Sequence, residues 1–423
     1  MEFPLTNRQC ELIELIRELG REKFAPRAAF YDREASFPFE NYDDLRHHGL
    51  LALCVPERFG GMGADFQTYC LVAAEMGRYC GATALTYNMH TCTLFWIGNL
   101  SDEIPMTASQ RVQHELRRRE HFRRVVEEGA VYSQPVSEGG PGVSVGTPYQ
   151  TTAQKVDGGW VINGKKIFAS LSGAANYYGV ICTEAKEGAD VRDTLYLAVP
   201  ANSIGLQIVG DWNPVGMRGT VSRTLIFEDV FVPDTAQLLP HNTYFQLTKS
   251  WPHMFLTIAP TYMGIAQAAY DFTVKYLRGE VDGMPPVKRR MDATKQFIVA
   301  EMFIKLEQTK ALFYRAISDA KANPTKEELL RAYAAHYTVM ENANDISRLA
   351  LRVCGGHSLL KSLPLERLYR DSCCGAVMRP WTADRCIERL GRETLYEPGE
   401  TDSTVESFVK EVSVSSTLSI QAA

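Results

Sequence analysis

Hydrophobic positions in the first 130 residues recur at the spacing of amphipathic helices. Thr6 and Gln9 form a capping-box pattern ahead of a run of leucines and isoleucines, which predicts a helix start. After a glycine-rich break, Asp65 is placed to cap another helix. Residues 108–128 carry many charges of both signs, which favours a solvated helix with internal ion pairs.

The pattern changes near Tyr132. Short β-branched and aromatic runs separated by glycines continue from there to Leu239 and predict an inserted β domain. Within it, the segments VDGG (156–159) and INGK (162–165) are expected to be hairpin corners. Glycine supplies the positive φ that tight hairpin turns require.

Helical spacing returns after Asn242, with long periodic segments at 244–278, 289–321 and 326–353. The chain has no internal repeat and no strand–helix alternation of the dinucleotide-binding kind. The predicted fold is therefore mainly α with an inserted β domain. Its parts are an N-terminal helical domain at 1–130, a middle β domain at 131–240 and a C-terminal helical domain at 241–423.

Composition narrows the class of protein. A net charge of -5 and a pI near 6.0 provide no basic surface for a nucleic acid. No apolar run approaches the length of a membrane span, and the N-terminus lacks the features of a secretory leader. The ten cysteines are scattered, which favours reduced thiols and a cytoplasmic location. Cys373 and Cys374 are adjacent and lack zinc-type spacing, so no metal site is predicted.

Six motifs occur in a specific order. They are VPERFGGMGAD (55–65), SQPVSEGG (133–140), GGWVINGKKIFAS (158–170), VGMRGTVSRTLIFEDVFVP (215–233), MGIAQAAYDF (263–272) and CGGHSLLKSLPLERLYRD (354–371). In this order they resemble the acyl-CoA dehydrogenase superfamily along nearly the whole chain. The resemblance implies an N-terminal helical domain, a middle β-barrel or β-sandwich domain and a C-terminal four-helix bundle. It also implies a homodimer or homotetramer with FAD held between the β domain and the bundle.

The same resemblance assigns residues to the flavin ring. Val136 and Ser137 match the loop that bonds to the pyrimidine edge of the flavin. Ser170 stands where a threonine hydroxyl lies near flavin N5, and Phe168 replaces a tryptophan that packs against the ring. A hydroxyl and an aromatic face are both kept, so the ring site is expected to survive. In isolation, Ser170 also suits a turn and Phe168 also suits the core.

The residues for the FAD pyrophosphate are altered from the family pattern. Arg278 matches the phosphate-binding arginine only if the alignment slips by about one position. Arg352 replaces the glutamine that precedes the family's glycine pair, here Gly355 and Gly356. A guanidinium suits phosphate oxygens, so Arg352 is a candidate phosphate ligand. The alternative for Arg352 is a salt bridge on a helix.

The carboxylate base of the family's reaction is missing. Most members carry it as a glutamate beyond the Arg-Asp pair, and counting from Asp371 reaches Arg379, or Pro380 in the other register. A minority carry it on the first long helix of the bundle, where this chain has Met254 followed by Phe255. Neither place has a carboxylate, so the chain resembles an atypical member of the family.

Three residues are candidates for the missing role. His253 and His90 offer imidazoles that titrate near neutrality, although each also suits a structural helix histidine. Arg379 would hold an anionic substrate group or an oxyanion in place of a base.

Three functions remain open. The first is an FAD-dependent α,β-dehydrogenation of an acyl thioester, bound to CoA or to a carrier protein, with a non-standard base. The second is other flavin chemistry on the same fold, such as a monooxygenase supplied by a flavin reductase. The third is a non-catalytic subunit of a heteromeric flavoprotein. The electron acceptor is not indicated by the sequence.

Overall fold

The computed structural model describes residues 4–139, 147–282, 284, 286–397 and 400. Helices form the N-terminal part and lie in the order that the hydrophobic spacing predicts. They are α1 (Asn7–Leu19), α2 (Ala25–Glu34), α3 (Phe39–His47), α4 (Phe66–Gly77), α5 (Gly81–Ile97), α6 (Asn99–Asp102) and α7 (Ala108–Glu128).

Seven strands follow within the described residues and form one sheet. They are β1 (Tyr132–Ser133), β2 (Thr152–Val156), β3 (Gly159–Ala169), β4 (Tyr177–Glu184), β5 (Thr194–Pro200), β6 (Leu206–Val209) and β7 (Arg223–Pro233). The strand order is β1-β4-β2-β3-β7-β6, with β5 paired antiparallel to β4. The long β3 and β7 pair antiparallel, and this pairing places the end of β3 beside the loop that precedes β7.

The C-terminal part is helical. Its helices are α8 (Tyr244–Ser250), α9 (Ala259–Arg278), α10 (Ala293–Ser318), α11 (Lys326–Cys354), α12 (Leu365–Ser372) and α13 (Ala383–Leu395). The mainly α fold with an inserted β domain is therefore confirmed. Residues 401–423 of the predicted C-terminal domain lie outside the described residues.

Local signals in the sequence account for the helix starts. Thr6 and Gln9 form the expected capping box on α1, and Asp65 accepts a hydrogen bond from the Thr68 backbone amide at the start of α4. Gly264 of α9 faces α4, where a Cβ would come 2.3 Å from the Ala74 carbonyl oxygen. Glycine at this position lets the two helices approach closely, which joins the N-terminal helices to the bundle.

One turn prediction is wrong. VDGG joins β2 to β3 as expected, but INGK lies inside β3, opposite a bulge in β7. The Asn163 side chain and Asp229 exchange two hydrogen bonds of 2.9 Å, and Gly164 takes a φ of +140°. These bonds connect the two strands across the irregularity, so the glycine lies inside a strand opposite a bulge and not at a corner.

Two helix predictions need correction. The periodic segment 244–278 is interrupted at Trp251, and a 3₁₀ segment starting at Pro252 separates α8 from α9. Proline lacks the amide hydrogen that would continue the α-helix. The charged helix α7 also has an inner face, where His114, Arg118 and His121 are buried. No helix in the described ranges is long and apolar enough to cross a membrane.

Burial lowers the pKa of five histidines, to about 3 or about 4 in each case. The pKa is about 4 for His90, His253 and His336, and about 3 for His114 and His121. A folded-state pKa below the unfolded value means that the unfolded chain binds more protons between pH 6.5 and pH 4. We therefore expect the free energy of unfolding to fall as the pH falls through that window.

Replacing one of these histidines tests the effect. His90→Gln should reduce the loss of stability between pH 7 and pH 5 by about 2 kcal/mol, measured by urea unfolding at both pH values. The exposed His48→Gln is the matched control and should keep the wild-type pH response. An unchanged pH response in His90→Gln would contradict the assignment.

Candidate functional site

The loop after β1 and the end of β3 lie side by side. The Ile167 backbone amide donates to the Ser137 carbonyl oxygen at 2.9 Å, and Ser133 Oγ donates to the Ser170 carbonyl oxygen at 2.6 Å. The structure therefore brings together the four residues that the sequence assigned to the flavin ring. We call these four residues, Val136, Ser137, Phe168 and Ser170, the ring site.

Phe168 has an unusual conformation. Its backbone is left-handed, with a φ of +51°, and its side chain is 67% exposed. The ring meets only the edge of Trp212 at a centroid distance of 6.3 Å among the ring contacts of the described residues. A bulge between Lys166 and Ala169 turns this part of β3 outward. An exposed aromatic ring on a strained backbone fits a planar ligand and does not fit the core alternative.

A buried ion pair holds this region. Lys166 Nζ lies 2.6 Å from a Glu138 carboxylate oxygen, and the two side chains are 0% and 1% exposed. Glu138 also accepts hydrogen bonds from the backbone amides of Gln150 and Thr151, at 2.7 and 2.9 Å. Burial alone would raise the pKa of Glu138, but Lys166 and Thr151 hold it below its usual value.

This ion pair is not among the features predicted from the sequence, although the sequence contains a signal for it. Lys166 lies an even number of positions along β3 from Trp160 and Ile162, which are buried. Side chains alternate between the two faces of a strand, so the Lys166 side chain points to the same buried face. A lysine on the buried face of a strand requires a partner. Glu138 is the next residue after Ser137, and Lys166 lies two positions before Phe168. Their ion pair therefore holds the loop after β1 and the end of β3 together.

The second group of predicted residues lies at one end of the bundle. Arg278 at the end of α9 is exposed and pairs with Glu280 at 2.8 Å. Arg352, near the end of α11, is exposed and makes no ion pair or hydrogen bond within the described residues, so the salt-bridge alternative is not found there. Gly355 has a φ of +79°, and a Cβ on it or on Gly356 would meet nothing within 4 Å.

This end of the bundle fits an anionic ligand. It offers an unpaired guanidinium beside two glycines whose backbone is open to approach. The described residues show no hydrogen bond or ion pair between this group and the ring site. The residues predicted to bind the cofactor therefore fall into two groups that no such contact joins.

His90 is tied to the backbone at both ring nitrogens. Its Nδ1 accepts from the Tyr132 amide at 3.0 Å, so its Nε2 carries the hydrogen and donates to the Leu51 carbonyl oxygen at 2.8 Å. The ring is fully buried and neutral. This geometry fits the structural alternative for His90 and leaves no nitrogen for a substrate.

Residues next to the two positions where the family carries its base contact each other. Phe255, beside Met254, packs on Trp381 at a ring centroid distance of 4.7 Å, and Tyr333 stacks on Trp381 at 5.5 Å. Arg379 lies two residues before Trp381 and is exposed, while His253 lies two residues before Phe255 and is buried. The structure therefore places Arg379 and His253 on segments that contact each other through an aromatic cluster.

The Arg-Asp pair is an anchor. Arg370 bridges Asp32 and Glu366 at 2.6 and 2.7 Å, which attaches α12 to α2. Asp371 is 5% exposed and accepts a hydrogen bond from the Met217 amide at 2.5 Å. Burial raises the pKa of Asp371 to about 6. Both side chains hold the loop before β7 against the bundle, and neither is free for a substrate.

The buried ion pair yields a stability prediction. Lys166→Met leaves the Glu138 carboxylate buried without its cation, and we expect a loss of about 3–5 kcal/mol in the free energy of unfolding. The control is Lys155→Met, because Lys155 pairs with Asp234 at 2.9 Å on the surface and should contribute no more than about 1 kcal/mol. Urea unfolding at pH 7 measures both variants. Equal losses in the two would contradict the role of Lys166.

Comparisons with known proteins agree with this geometry. Family models of the acyl-CoA dehydrogenase N-terminal, middle and C-terminal domains match residues 6–103, 133–230 and 249–379. A probable acyl-CoA dehydrogenase of Bacillus subtilis, YngJ, is 27% identical over 380 residues, which cover 88% of this chain and 94% of that protein.

Two solved structures share the fold. Butyryl-CoA dehydrogenase from Megasphaera elsdenii has a TM-score of 0.77 and 22% identity, covering 94% of this chain and 100% of its own. FMN-bound TdsC from Paenibacillus has a TM-score of 0.79 and 20% identity, covering 92% and 99%. With the three domain models matched in order along one fold, the chain belongs to the acyl-CoA dehydrogenase superfamily.

Proposed function

We propose that the protein is an FAD-dependent oxidoreductase that dehydrogenates an acyl thioester, bound to CoA or to a carrier protein, between its α and β carbons. The observation that carries this proposal is the ring site, where one buried ion pair holds the Ser137 loop and the Phe168 strand end together. The family relationship supplies the reaction class.

Different residues of the chain would bind different parts of the flavin. Val136 and Ser137 would meet the pyrimidine edge, Phe168 would pack on the ring, and Ser170 would lie near N5. The bound flavin supplies a hydride acceptor. Arg352, with Gly355 and Gly356, would hold the pyrophosphate, and Arg278 is already engaged with Glu280. The unpaired guanidinium of Arg352 supports FAD over FMN, which has no pyrophosphate.

On the substrate side, the chain must move a proton without the usual carboxylate. Burial lowers the pKa of His253 to about 4, so its imidazole is neutral at pH 7 and is in the form that accepts a proton. Arg379 is exposed and would hold negative charge on the substrate. Both are proposals that follow from their place beside the aromatic cluster of Phe255, Tyr333 and Trp381.

A second function is favoured by one observation. The two places where the family carries its base hold Met254 and Arg379 or Pro380, and an oxygen-dependent reaction does not need that base. TdsC is named a dibenzothiophene monooxygenase and has this fold. In this case an external flavin reductase would supply electrons and the substrate need not be a thioester.

We also propose that the chain forms a homodimer or a homotetramer. Apolar side chains stay exposed along α10, including Phe297 at 78% and Ile304 at 57%. A second copy of the chain would cover them, since exposed apolar rows of this kind commonly mark subunit contacts. The cytoplasmic location stays a prediction.

Reduction of the purified protein distinguishes the functions. Under nitrogen, a panel of acyl-CoA thioesters should bleach the flavin absorbance of the wild-type protein if it is a dehydrogenase. Bleaching only by NADH with a flavin reductase would instead support the monooxygenase. A colourless protein that takes up no FAD would overturn both and favour a non-catalytic subunit.

Arg379→Ala tests the substrate side. We expect at least a tenfold lower rate of flavin bleaching, with the FAD content unchanged, because the residue would bind substrate charge and not the cofactor. Arg392→Ala removes another exposed arginine, on α13, and should keep the wild-type rate. Loss of FAD with a normal bleaching rate would show that Arg379 belongs to the cofactor site.

Arg352→Ala tests the proposed pyrophosphate site of Arg352, Gly355 and Gly356. We expect FAD to bind about 10-fold to 100-fold more weakly, since a charge-assisted hydrogen bond contributes about 1.5–3 kcal/mol. Arg348→Ala, one turn earlier on α11, is the matched control. Arg348 lies 3.6 Å from Asp345 and should not contact the cofactor. Equilibrium dialysis of apoprotein with FAD gives both affinities, and equal affinities would remove Arg352 from the site.

A further inference from the structure

Three hydroxyl groups form a line between the end of β3 and the loop before β7. Ser170 Oγ lies 2.8 Å from Ser222 Oγ, and Ser222 Oγ lies 2.7 Å from Thr220 Oγ1. Thr220 Oγ1 lies 2.8 Å from the Met217 carbonyl oxygen. Their exposed fractions rise from 1% at Thr220 to 6% at Ser222 and 8% at Ser170. The line therefore runs from the interior towards the ring site.

The inner end of the line fixes the direction of its hydrogen bonds. A carbonyl oxygen only accepts, so Thr220 must donate its single hydroxyl hydrogen to Met217. Thr220 then accepts from Ser222, and Ser222 accepts from Ser170. The opposite direction would leave Thr220 Oγ1 and the Met217 oxygen facing each other without a hydrogen, which costs about 1–3 kcal/mol when buried.

The Met217 end is rigid. Met217 has a left-handed backbone with a φ of +53°, and its amide donates to the buried Asp371 carboxylate at 2.5 Å. Its carbonyl oxygen also accepts from the Thr220 amide at 3.1 Å. Arg370, the neighbour of Asp371, is itself held by Asp32 and Glu366. The acceptor at the end of the line therefore cannot turn away.

We propose that Ser222 and Thr220 are positioning residues that make Ser170 a hydrogen-bond acceptor only. The Ser170 hydroxyl hydrogen is directed inward to Ser222, so the oxygen presents lone pairs to the ring site. The identity of the ligand rests on the proposed function, in which Ser170 lies near flavin N5. Flavin N5 carries a hydrogen only in the reduced state, so an acceptor at this place stabilises the reduced form.

This assignment has a consequence for the reaction. Stabilising the reduced form raises the reduction potential of the bound flavin, which favours acceptance of a hydride from the substrate. A serine that donated to N5 would have the opposite effect, because it would stabilise the oxidised form. The sign of the change on removing the hydroxyl therefore distinguishes the two roles of Ser170.

The test is the reduction potential of the flavin in the purified holoprotein, measured by equilibration with a reference dye. Ser170→Ala should shift the potential to a more negative value, because the acceptor is lost. Thr220→Val should shift it in the same direction, because Ser170 is then free to donate. The double variant should match Ser170→Ala, since Thr220 acts only through Ser170.

Thr183→Val is the matched control. Thr183 lies on β4, is 3% exposed, and its hydroxyl has no hydrogen-bond partner among the described residues. Its replacement should leave the potential unchanged. Urea midpoints and flavin content of every variant report whether the site is still folded and loaded.

Two outcomes would overturn the inference while leaving the proposed function in place. A positive shift in Ser170→Ala would make the serine a donor. A wild-type potential in Thr220→Val, together with a shift in Ser170→Ala, would show that the hydroxyl line does not set its role. Wild-type protein that binds no flavin would instead overturn the proposed function, and the named ligand with it.

Discussion

The contact between Lys166 Nζ and the Glu138 carboxylate holds together the two segments of the β domain that carry the predicted flavin-ring residues. It joins the loop after β1 to the outward bulge of β3, and both partners are almost completely buried. Removing one charge from such a pair leaves the other without compensation, so the two segments stay together. The exposed ring of Phe168 and the inward hydroxyl of Ser170 both depend on that arrangement.

A second set of charged side chains attaches the β domain to the helical bundle. Arg370 bonds to Asp32 of α2 and to Glu366 of α12, while Asp371 holds the amide of Met217. The loop before β7 is therefore fixed from the helical side, and the end of β3 is fixed from the sheet side. Ser170 lies where these two constraints meet, which explains how its buried hydroxyl acquires a defined hydrogen-bond direction.

The substrate side differs from the cofactor side in how much of the family pattern it keeps. The ring site retains a hydroxyl and an aromatic face, whereas the two places of the family's base hold no carboxylate. Phe255 and Trp381, next to those places, pack on each other, and Arg379 is exposed. We infer that the chain keeps flavin binding and has changed the way it handles the substrate's charge and proton.

The sequence by itself determined the order of helical and β parts and the helix caps at Thr6 and Asp65, and it predicted which residues would meet a flavin ring. These features depend on periodicity and on neighbours within a few positions, which a linear pattern records. Tertiary structure decided the rest. INGK lies within a strand because Asn163 bonds to Asp229 at a bulge on another strand, and His90 is structural because backbone groups from two distant segments bind its ring. The partner of Lys166 and the direction of the hydroxyl line depend on atoms that meet only in three dimensions, because their hydrogen bonds join segments far apart in the chain.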